Sequence, residues 1–175
     1  IDRSRGLGDV YKRQDQIKSL NEINNDLSST NKMFRLLQGD VGSGKTIVSL
    51  LGAINTINSG FQVAFMTPTE ILARQHYTLA KKIFPSFINI ELISGKSEYK
   101  EKKEILKKLE NNKIDIIFGT HAIFQKKVIF NKLGLIIIDE QHKFGVNQRK
   151  KLSDKGGIDC DCLLYTSDAA DDRVS

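Results

Sequence analysis

Segment 39–46 has the sequence Gly-Asp-Val-Gly-Ser-Gly-Lys-Thr, and this octapeptide constrains the fold more than any other feature of the chain. It matches the pattern G-x-x-x-x-G-K-[ST] at every fixed position. An apolar segment precedes it and an amphipathic segment follows it, so we expect a tight turn between a strand and a helix. In that setting, backbone N–H groups and the N-terminal end of the helix point at a phosphate group. The octapeptide therefore predicts a phosphate-binding loop.

The residues of this loop have separate physical roles. Its glycines let the backbone turn tightly, so that successive N–H groups face the β-phosphate of a nucleotide. Lys45 supplies a positive charge to the β- and γ-phosphates, and the Thr46 hydroxyl can bind Mg²⁺. The predicted nucleotide-binding residues are Gly39, Asp40, Val41, Gly42, Ser43, Gly44, Lys45 and Thr46.

Apolar segments alternate with amphipathic segments along the chain. The apolar segments predict strands at 33–37, 62–66, 88–93, 115–118 and 133–138. The amphipathic segments predict helices at 16–27, 45–57, 71–84 and 98–110. This alternation indicates an α/β fold, a parallel sheet with right-handed crossovers and helices on both faces. Ligands of such sheets bind beyond the carboxyl ends of the strands.

Two carboxylates, Asp139 and Glu140, follow the apolar run 135–138. In phosphoryl transfer, one carboxylate holds Mg²⁺ and a second group orients the attacking nucleophile. We predict that Asp139 holds the ion through water, opposite Thr46, and that Glu140 orients and deprotonates the attacking water. An Asp-Glu pair alone often only ends a strand, but the apolar run and the upstream loop favour catalysis. The predicted catalytic residues are Lys45, Asp139 and Glu140, and the predicted metal ligands are Thr46 and Asp139.

Segment 112–115, Asn-Lys-Ile-Asp, matches the N-K-x-D motif with which GTPases bind guanine. In GTPases this motif follows a strand and comes after the acidic motif. Here it precedes a predicted strand and comes before Asp139. We therefore interpret it as a turn between a helix and a strand.

Four segments, in this order, resemble the first motor lobe of superfamily 2 DNA translocases. They are GDVGSGKT, TPTEILARQH, GTHAIFQ and IIIDEQHKFGVNQRKKL. Within that superfamily, 15–161 most resembles the RecG branch-migrating helicases. The resemblance implies a RecA-like lobe that binds ATP and Mg²⁺ and belongs to an ATP-dependent DNA helicase acting on branched DNA in recombination and replication-fork repair. It also implies three partners: DNA, a wedge domain and a second motor lobe.

The resemblance alone implies further site residues. Gln16 matches the glutamine that contacts the edge of adenine. The residues that match the motifs lining the DNA track are Thr67, Pro68, Thr69, Glu70, Gly119, Thr120 and His121, and those that match the motif coupling nucleotide state to DNA are Gln141 and His142. From the residues alone, Thr67 and Thr120 are strand-end hydroxyls that contact phosphate or cap the next helix. His142 has no second histidine nearby, which disfavours a metal-binding role.

Other assignments stay open at this stage. The equivalent lobe of the transcription–repair coupling factor usually has a bulky aromatic residue at the position of Ser43 and a glutamate at the position of Gln141. RNA helicases of the DEAD group carry Ala-Asp after the acidic pair, where this chain has Gln141-His142. A nucleotide-binding module without catalysis is the third alternative, and the intact loop and acidic pair argue against it.

Composition adds only broad limits. Hydrophobic residues make up 39% of the 175 residues and charged residues 27%, the balance of an ordinary soluble domain. The net charge of +6 is compatible with a polyanionic partner without requiring one. No apolar run has the length of a membrane span. The two cysteines, Cys160 and Cys162, are too few for a disulfide framework, so we expect a cytoplasmic protein.

Both ends of the chain interrupt the alternation of apolar and amphipathic segments. Segments 4–14 and 162–172, SRGLGDVYKRQ and CLLYTSDAADD, resemble translations of the transposon adapters used in sequencing libraries. We therefore expect a helicase lobe at 15–161 that stops just before its final motif, and we expect 1–14 and 162–175 to contribute nothing to fold or site. Segment 163–167 is apolar and β-tolerant, so it can imitate the last strand of the lobe.

Overall fold

The computed structural model of this chain describes residues 3–28, 34–39, 44–140 and 161–167. Within these residues the helices are α1 (Arg3–Leu27), α2 (Lys45–Asn58), α3 (Glu70–Ile83) and α4 (Tyr99–Glu110), with a 3₁₀ helix at His121–Phe124. The strands are β1 (Phe34–Gly39), β2 (Gln62–Met66), β3 (Ile90–Leu92), β4 (Ile116–Gly119), β5 (Leu133–Glu140) and β6 (Asp161–Ser167). None of the described helices is long and apolar enough to cross a membrane.

The six strands form one sheet in the order β1-β6-β5-β2-β4-β3, and every neighbouring pair is parallel. Because the strands are parallel, their carboxyl ends all lie at one edge of the sheet. The segments that follow β1, β2, β4 and β5 therefore start from the same edge, which is where ligands of such sheets bind.

The apolar run of β5 shows how the sheet is covered on both faces. Leu135 and Ile137 pack into a cluster that contains residues of α1, α2 and α3. Ile136 and Ile138 pack into a second cluster that contains Ile105 and other residues of α4. The predicted parallel sheet with helices on both faces is therefore confirmed.

Element boundaries differ slightly from the predicted ones at the end of β5 and at the start of α3. Strand β5 continues to Glu140 because β6 pairs with it, placing Asp139 opposite Tyr165. The acidic pair therefore lies within the end of the strand instead of following it. Helix α3 begins at Glu70 because the Thr69 side chain caps it, accepting a hydrogen bond from the backbone N–H of Leu72 at 3.3 Å.

Segments 3–14 and 162–167 lie in α1 and β6, and 163–167 thus takes the strand position that it was expected to be able to imitate. The expectation that the two ends contribute nothing to fold or site stays a prediction. Helix α1 begins at Arg3, because extending a helix adds a hydrogen bond per residue without a new nucleus, and no proline interrupts the segment. Strand β6 lies between β1 and β5 and pairs with both, and Leu163 is fully buried. Without β6, both neighbours would keep unpaired backbone groups inside the sheet. The likeness of these segments to adapter translations stays a prediction.

The interpretation of 112–115 as a helix-to-strand turn is confirmed. Asn112 has a φ of 58°, in the left-handed region that asparagine tolerates, and the segment joins α4 to β4. Asp115 accepts a hydrogen bond from the backbone N–H of Asn89 at 2.8 Å. The aspartate of this motif therefore stabilises the turn before β3.

Candidate nucleotide-binding site

The predicted phosphate loop joins β1 to α2. Strand β1 ends at Gly39, and α2 begins at Lys45. The octapeptide therefore occupies a strand-to-helix turn at the carboxyl edge of the sheet, as predicted. Four of its members, Asp40, Val41, Gly42 and Ser43, lie outside the described residues.

Gly44 ends this turn with a backbone conformation that favours glycine. Its φ is 79° and its ψ is 20°, in the left-handed region. A Cβ atom at this position would also collide with the side-chain amide of Gln16, on α1. The left-handed conformation therefore favours glycine here, and a side chain at this position would displace the Gln16 amide.

Helix α1 holds Gln16 against the loop by packing along α2. Ile23 is fully buried in the cluster that joins the two helices to the sheet. At the next residue of α1, Asn24 Oδ1 accepts a hydrogen bond from the Asn55 side-chain amide at 2.5 Å. Gln16, implied as an adenine-contacting residue by the resemblance alone, thus lies beside Gly44 at the start of α2.

Lys45 occupies the first position of α2 and is 8% exposed. Its carbonyl oxygen accepts a hydrogen bond from Ser49 Oγ at 2.9 Å, which satisfies the buried serine hydroxyl. No acidic residue occupies that turn. A lysine here adds its charge to the positive end of the helix dipole, so the local field favours a bound anion such as phosphate.

Asp139 lies near the end of β5, is 4% exposed and contacts a histidine that the sequence analysis did not identify. Its Oδ2 lies 3.0 Å from His76 Nε2, on α3. The buried residues of α3 are Ala73, His76 and Ala80, spaced three and four apart. A histidine at the centre of this apolar stripe is the signal that could have identified His76.

Asp139 and Thr46 lie at the same edge of the sheet. Thr46 lies in α2, after β1, and Asp139 lies near the end of β5, and β6 separates these strands. At the usual spacing of neighbouring strands, the ends of β1 and β5 are roughly 10 Å apart. Glu140 is the last residue of β5, directly after Asp139.

The two segments expected to line a DNA track are adjacent. The backbone N–H of Thr67, after β2, donates a hydrogen bond to the carbonyl of Gly119 at 2.9 Å. The Thr67 side chain is buried and donates to the carbonyl of Thr69 at 2.8 Å. Thr120 precedes the 3₁₀ helix without a side-chain capping bond, and His121 is exposed. The threonine that caps a helix here is therefore Thr69, while Thr67 stabilises the turn before it.

Glu70 connects this region to the loop after β3. Its carboxylate accepts hydrogen bonds from the backbone N–H of Gly95 and from Ser94 Oγ, the latter at 3.3 Å. An open groove of about 460 Å³ runs along the outer face of α3 beside this contact. The basic residues that line the groove are Arg74, Lys82 and Lys96. The remaining predicted residues, Gln141 and His142, lie outside the described part of the chain.

Comparison with known proteins decides the family. A family model with the description DEAD/DEAH box helicase matches residues 13–161. The chain belongs to the DEAD/DEAH box helicase family. Membership of this helicase family implies the use of a nucleotide, in agreement with the predicted phosphate loop.

Relatives of this helicase-family chain carry the name that the resemblance predicted. It is 50% identical over 148 residues to the ATP-dependent DNA helicase RecG of Borreliella burgdorferi, an overlap of 83% of this chain and 22% of that protein. It is 47% identical over 154 residues to RecG of Streptococcus pneumoniae, covering 88% of this chain and 23% of that one. The chain therefore spans about a fifth of the length of these curated relatives.

Solved structures show the same lobe. The structure of RecG bound to a three-way DNA junction has a TM-score of 0.77 and 42% identity, covering 87% of this chain and 20% of that one. The Hef helicase domain of Pyrococcus furiosus has a TM-score of 0.63 with 18% identity, over 90% of this chain and 34% of that one, and shows the fold alone. The predicted RecA-like lobe is confirmed.

Proposed function

We propose that this chain is the first motor lobe of an ATP-dependent DNA helicase of the RecG type. In this proposal the parent protein acts on branched DNA in recombination and replication-fork repair. Identity of 50% with a helicase named RecG is the observation that carries the proposal. Gln16 beside Gly44 and Lys45 at the first position of α2 support it, because the proposed phosphate loop leads into this end of α2.

Lys45 and Gln16 have different roles in nucleotide binding. Lys45 contributes a charge to the β- and γ-phosphates, at the positive end of α2. Gln16 presents an amide, which can donate and accept hydrogen bonds at once, as the edge of adenine requires. Together they select a nucleotide with an adenine base and a polyphosphate chain, namely ATP.

The donor chemistry of Thr46 and Asp139 fits Mg²⁺. This ion prefers oxygen ligands and is usually held by one or two carboxylates plus substrate phosphates and water. Among the described residues no group of three or more His, Cys, Asp and Glu side chains gathers into a protein cage. Thr46 supplies a hydroxyl and Asp139 a carboxylate. When bound, the ion neutralises charge that develops on the phosphates.

Hydrolysis needs residues that act on water and on the γ-phosphate. In this proposal Glu140, the last residue of β5, orients the attacking water and accepts its proton. An arginine supplied by a second motor lobe would stabilise the transition state. The whole reaction therefore requires a second lobe, beyond the fifth of the relatives' length that this chain spans.

DNA contact is proposed for the segments after β2 and β4. These segments, 67–70 and 119–121, begin at the same edge as the nucleotide site. The basic groove along α3 adds positive charge close to Glu70. Phosphate contacts of this kind position a duplex or single strand without selecting its sequence. Gln141 and His142 are proposed to couple the nucleotide state to this surface.

A domain exchange tests the proposal. Residues 15–161 of this chain replace the aligned residues in RecG of Streptococcus pneumoniae, and unwinding of a three-way DNA junction is measured. We expect ATP-dependent unwinding, and we expect a hybrid with Glu140→Gln to bind ATP without unwinding. A hybrid that folds and binds ATP but leaves the junction intact would contradict a RecG-type lobe.

A further inference from the structure

The buried contact between His76 and Asp139 joins two elements that are distant in sequence. His76 Nε2 and Asp139 Oδ2 are 3.0 Å apart, with side chains 11% and 5% exposed. A carboxylate oxygen accepts hydrogen bonds, so the His76 tautomer with its proton on Nε2 would donate a hydrogen bond to Oδ2. The contact brings α3 against the end of β5, at the carboxylate proposed to hold Mg²⁺.

We propose that His76 is a positioning residue that fixes the orientation of the Asp139 carboxylate for magnesium binding. This inference rests on the proposed function, because it concerns the metal carboxylate of that site. His76 touches neither the nucleotide nor the ion in this role. It acts through Asp139 alone.

The conformational freedom of an aspartate explains why such a residue is needed. Rotation of the carboxylate about χ2 has broad minima, so the strand backbone alone does not fix the direction of its oxygens. A hydrogen bond to Oδ2 removes this freedom and presents Oδ1 in one direction. Hydrogen-bonded partners of metal-binding carboxylates commonly raise metal affinity in this way.

The surroundings of His76 hold its ring in place. Its ring lies 5.0 Å from that of Phe65, with a tilt of 39° between the planes. Ala73 and Ala80, above and below it on α3, are buried against the sheet and leave room for an imidazole. Phe65 belongs to β2, the direct neighbour of β5. The donor atom is therefore fixed relative to the strand that carries Asp139.

Three substitutions separate a positioning role from a packing role. His76→Gln keeps an amide donor close to the location of Nε2, whereas His76→Asn is too short to reach Asp139 and His76→Leu has no donor. Tyr77→Leu is the packing control. Tyr77 lies on the same helix and packs edge-on against Phe118, at 6.2 Å between ring centroids, away from Asp139.

The measurement is the gain in nucleotide affinity that Mg²⁺ produces. The full chain is titrated with a fluorescent ATP analogue in Mg²⁺ and again in EDTA, well below the thermal midpoint of each variant. We expect the magnesium-dependent gain to be smaller by about tenfold or more in His76→Leu and His76→Asn than in the wild type. Their affinity in EDTA should be unchanged. We expect His76→Gln to keep most of the gain, and Tyr77→Leu to keep it with a lower thermal midpoint.

The outcomes distinguish a failure of the inference about His76 from a failure of the proposed function. A full magnesium gain in His76→Leu and His76→Asn overturns the inference and leaves the proposed function intact. Equal losses in His76→Gln and His76→Leu also overturn it, because the donor would then be irrelevant. If His76→Leu does not fold, the comparison of His76→Gln with His76→Asn decides. A wild-type chain that binds the analogue without any magnesium gain contradicts the proposed function itself.

Discussion

The side-chain amide of Gln16 fills the space beside Gly44 in which a Cβ atom would have to lie. This relationship joins α1 to the turn that precedes α2, although 28 positions separate the two residues in sequence. The positive φ of Gly44 favours glycine, and a side chain at this position would also displace Gln16. The effect of backbone strain and the effect of displacing Gln16 can be measured independently.

Gly44→Ala is expected to lower both stability and nucleotide affinity. The left-handed backbone costs an alanine about 1–3 kcal/mol, and the new methyl group also displaces Gln16. Gly60→Ala is the control for strain, because its φ is 88° and no atom lies within 4 Å of the added Cβ. Urea unfolding and ATP titration of both variants make the comparison.

The affinity loss should be specific to Gly44. Adding Gln16→Ala to Gly44→Ala should recover only part of the lost stability, since it removes the clash but leaves the strain. If Gly44→Ala and Gly60→Ala behave alike in both measurements, the contact between Gln16 and Gly44 has no energetic role.

Leu163→Ala is expected to destabilise the chain strongly. Leu163 is fully buried at the centre of β6, and removing such a side chain typically costs about 2–5 kcal/mol. Leu51→Ala is the control, because Leu51 is 37% exposed on α2. Chemical unfolding of the two variants is the measurement. Equal, small effects would show that β6 does not pack in the sheet.

The chain alone is expected to hydrolyse ATP far more slowly than a motor. An arginine finger contributes about 10³–10⁵ in rate where it has been measured in NTPases, and the proposal assigns that residue to a second lobe. Phosphate release in the presence of branched DNA is the measurement. A turnover on the order of 1 s⁻¹ or faster, in the range of typical phosphoryl-transfer enzymes, would contradict this division of roles.

Local sequence patterns predicted most of the elements. The run 135–138 identified a strand covered on both faces, and the octapeptide located the turn before α2, because both signals lie within a few adjacent residues. Thr69 as a helix cap was missed although its contact with Leu72 is local in sequence. Glu140 as a strand residue was not predicted, because it depends on pairing with β6. The order of the strands, with β6 between β1 and β5, also depends on pairing between distant segments.

In the candidate site, too, contacts between residues distant in sequence were not predicted. Asp139 was predicted from the apolar run before it, but its partner His76 lies 63 positions away in sequence. Only the packing of α3 on the sheet brings the two side chains together. Segments 3–14 and 162–167 lie in α1 and β6. What those segments resemble does not predict this, because helix extension and strand pairing depend on their neighbours.

The most direct test of the account is nucleotide binding by Lys45→Ala. Lys107→Ala is the matched control, because Lys107 is an exposed lysine on α4. Titration with a fluorescent ATP analogue in Mg²⁺ should show a loss of at least about tenfold for Lys45→Ala, the scale of one charged hydrogen bond. Lys107→Ala should bind like the wild type. Equal affinities of Lys45→Ala and the wild type would contradict the assignment of this turn as the nucleotide site.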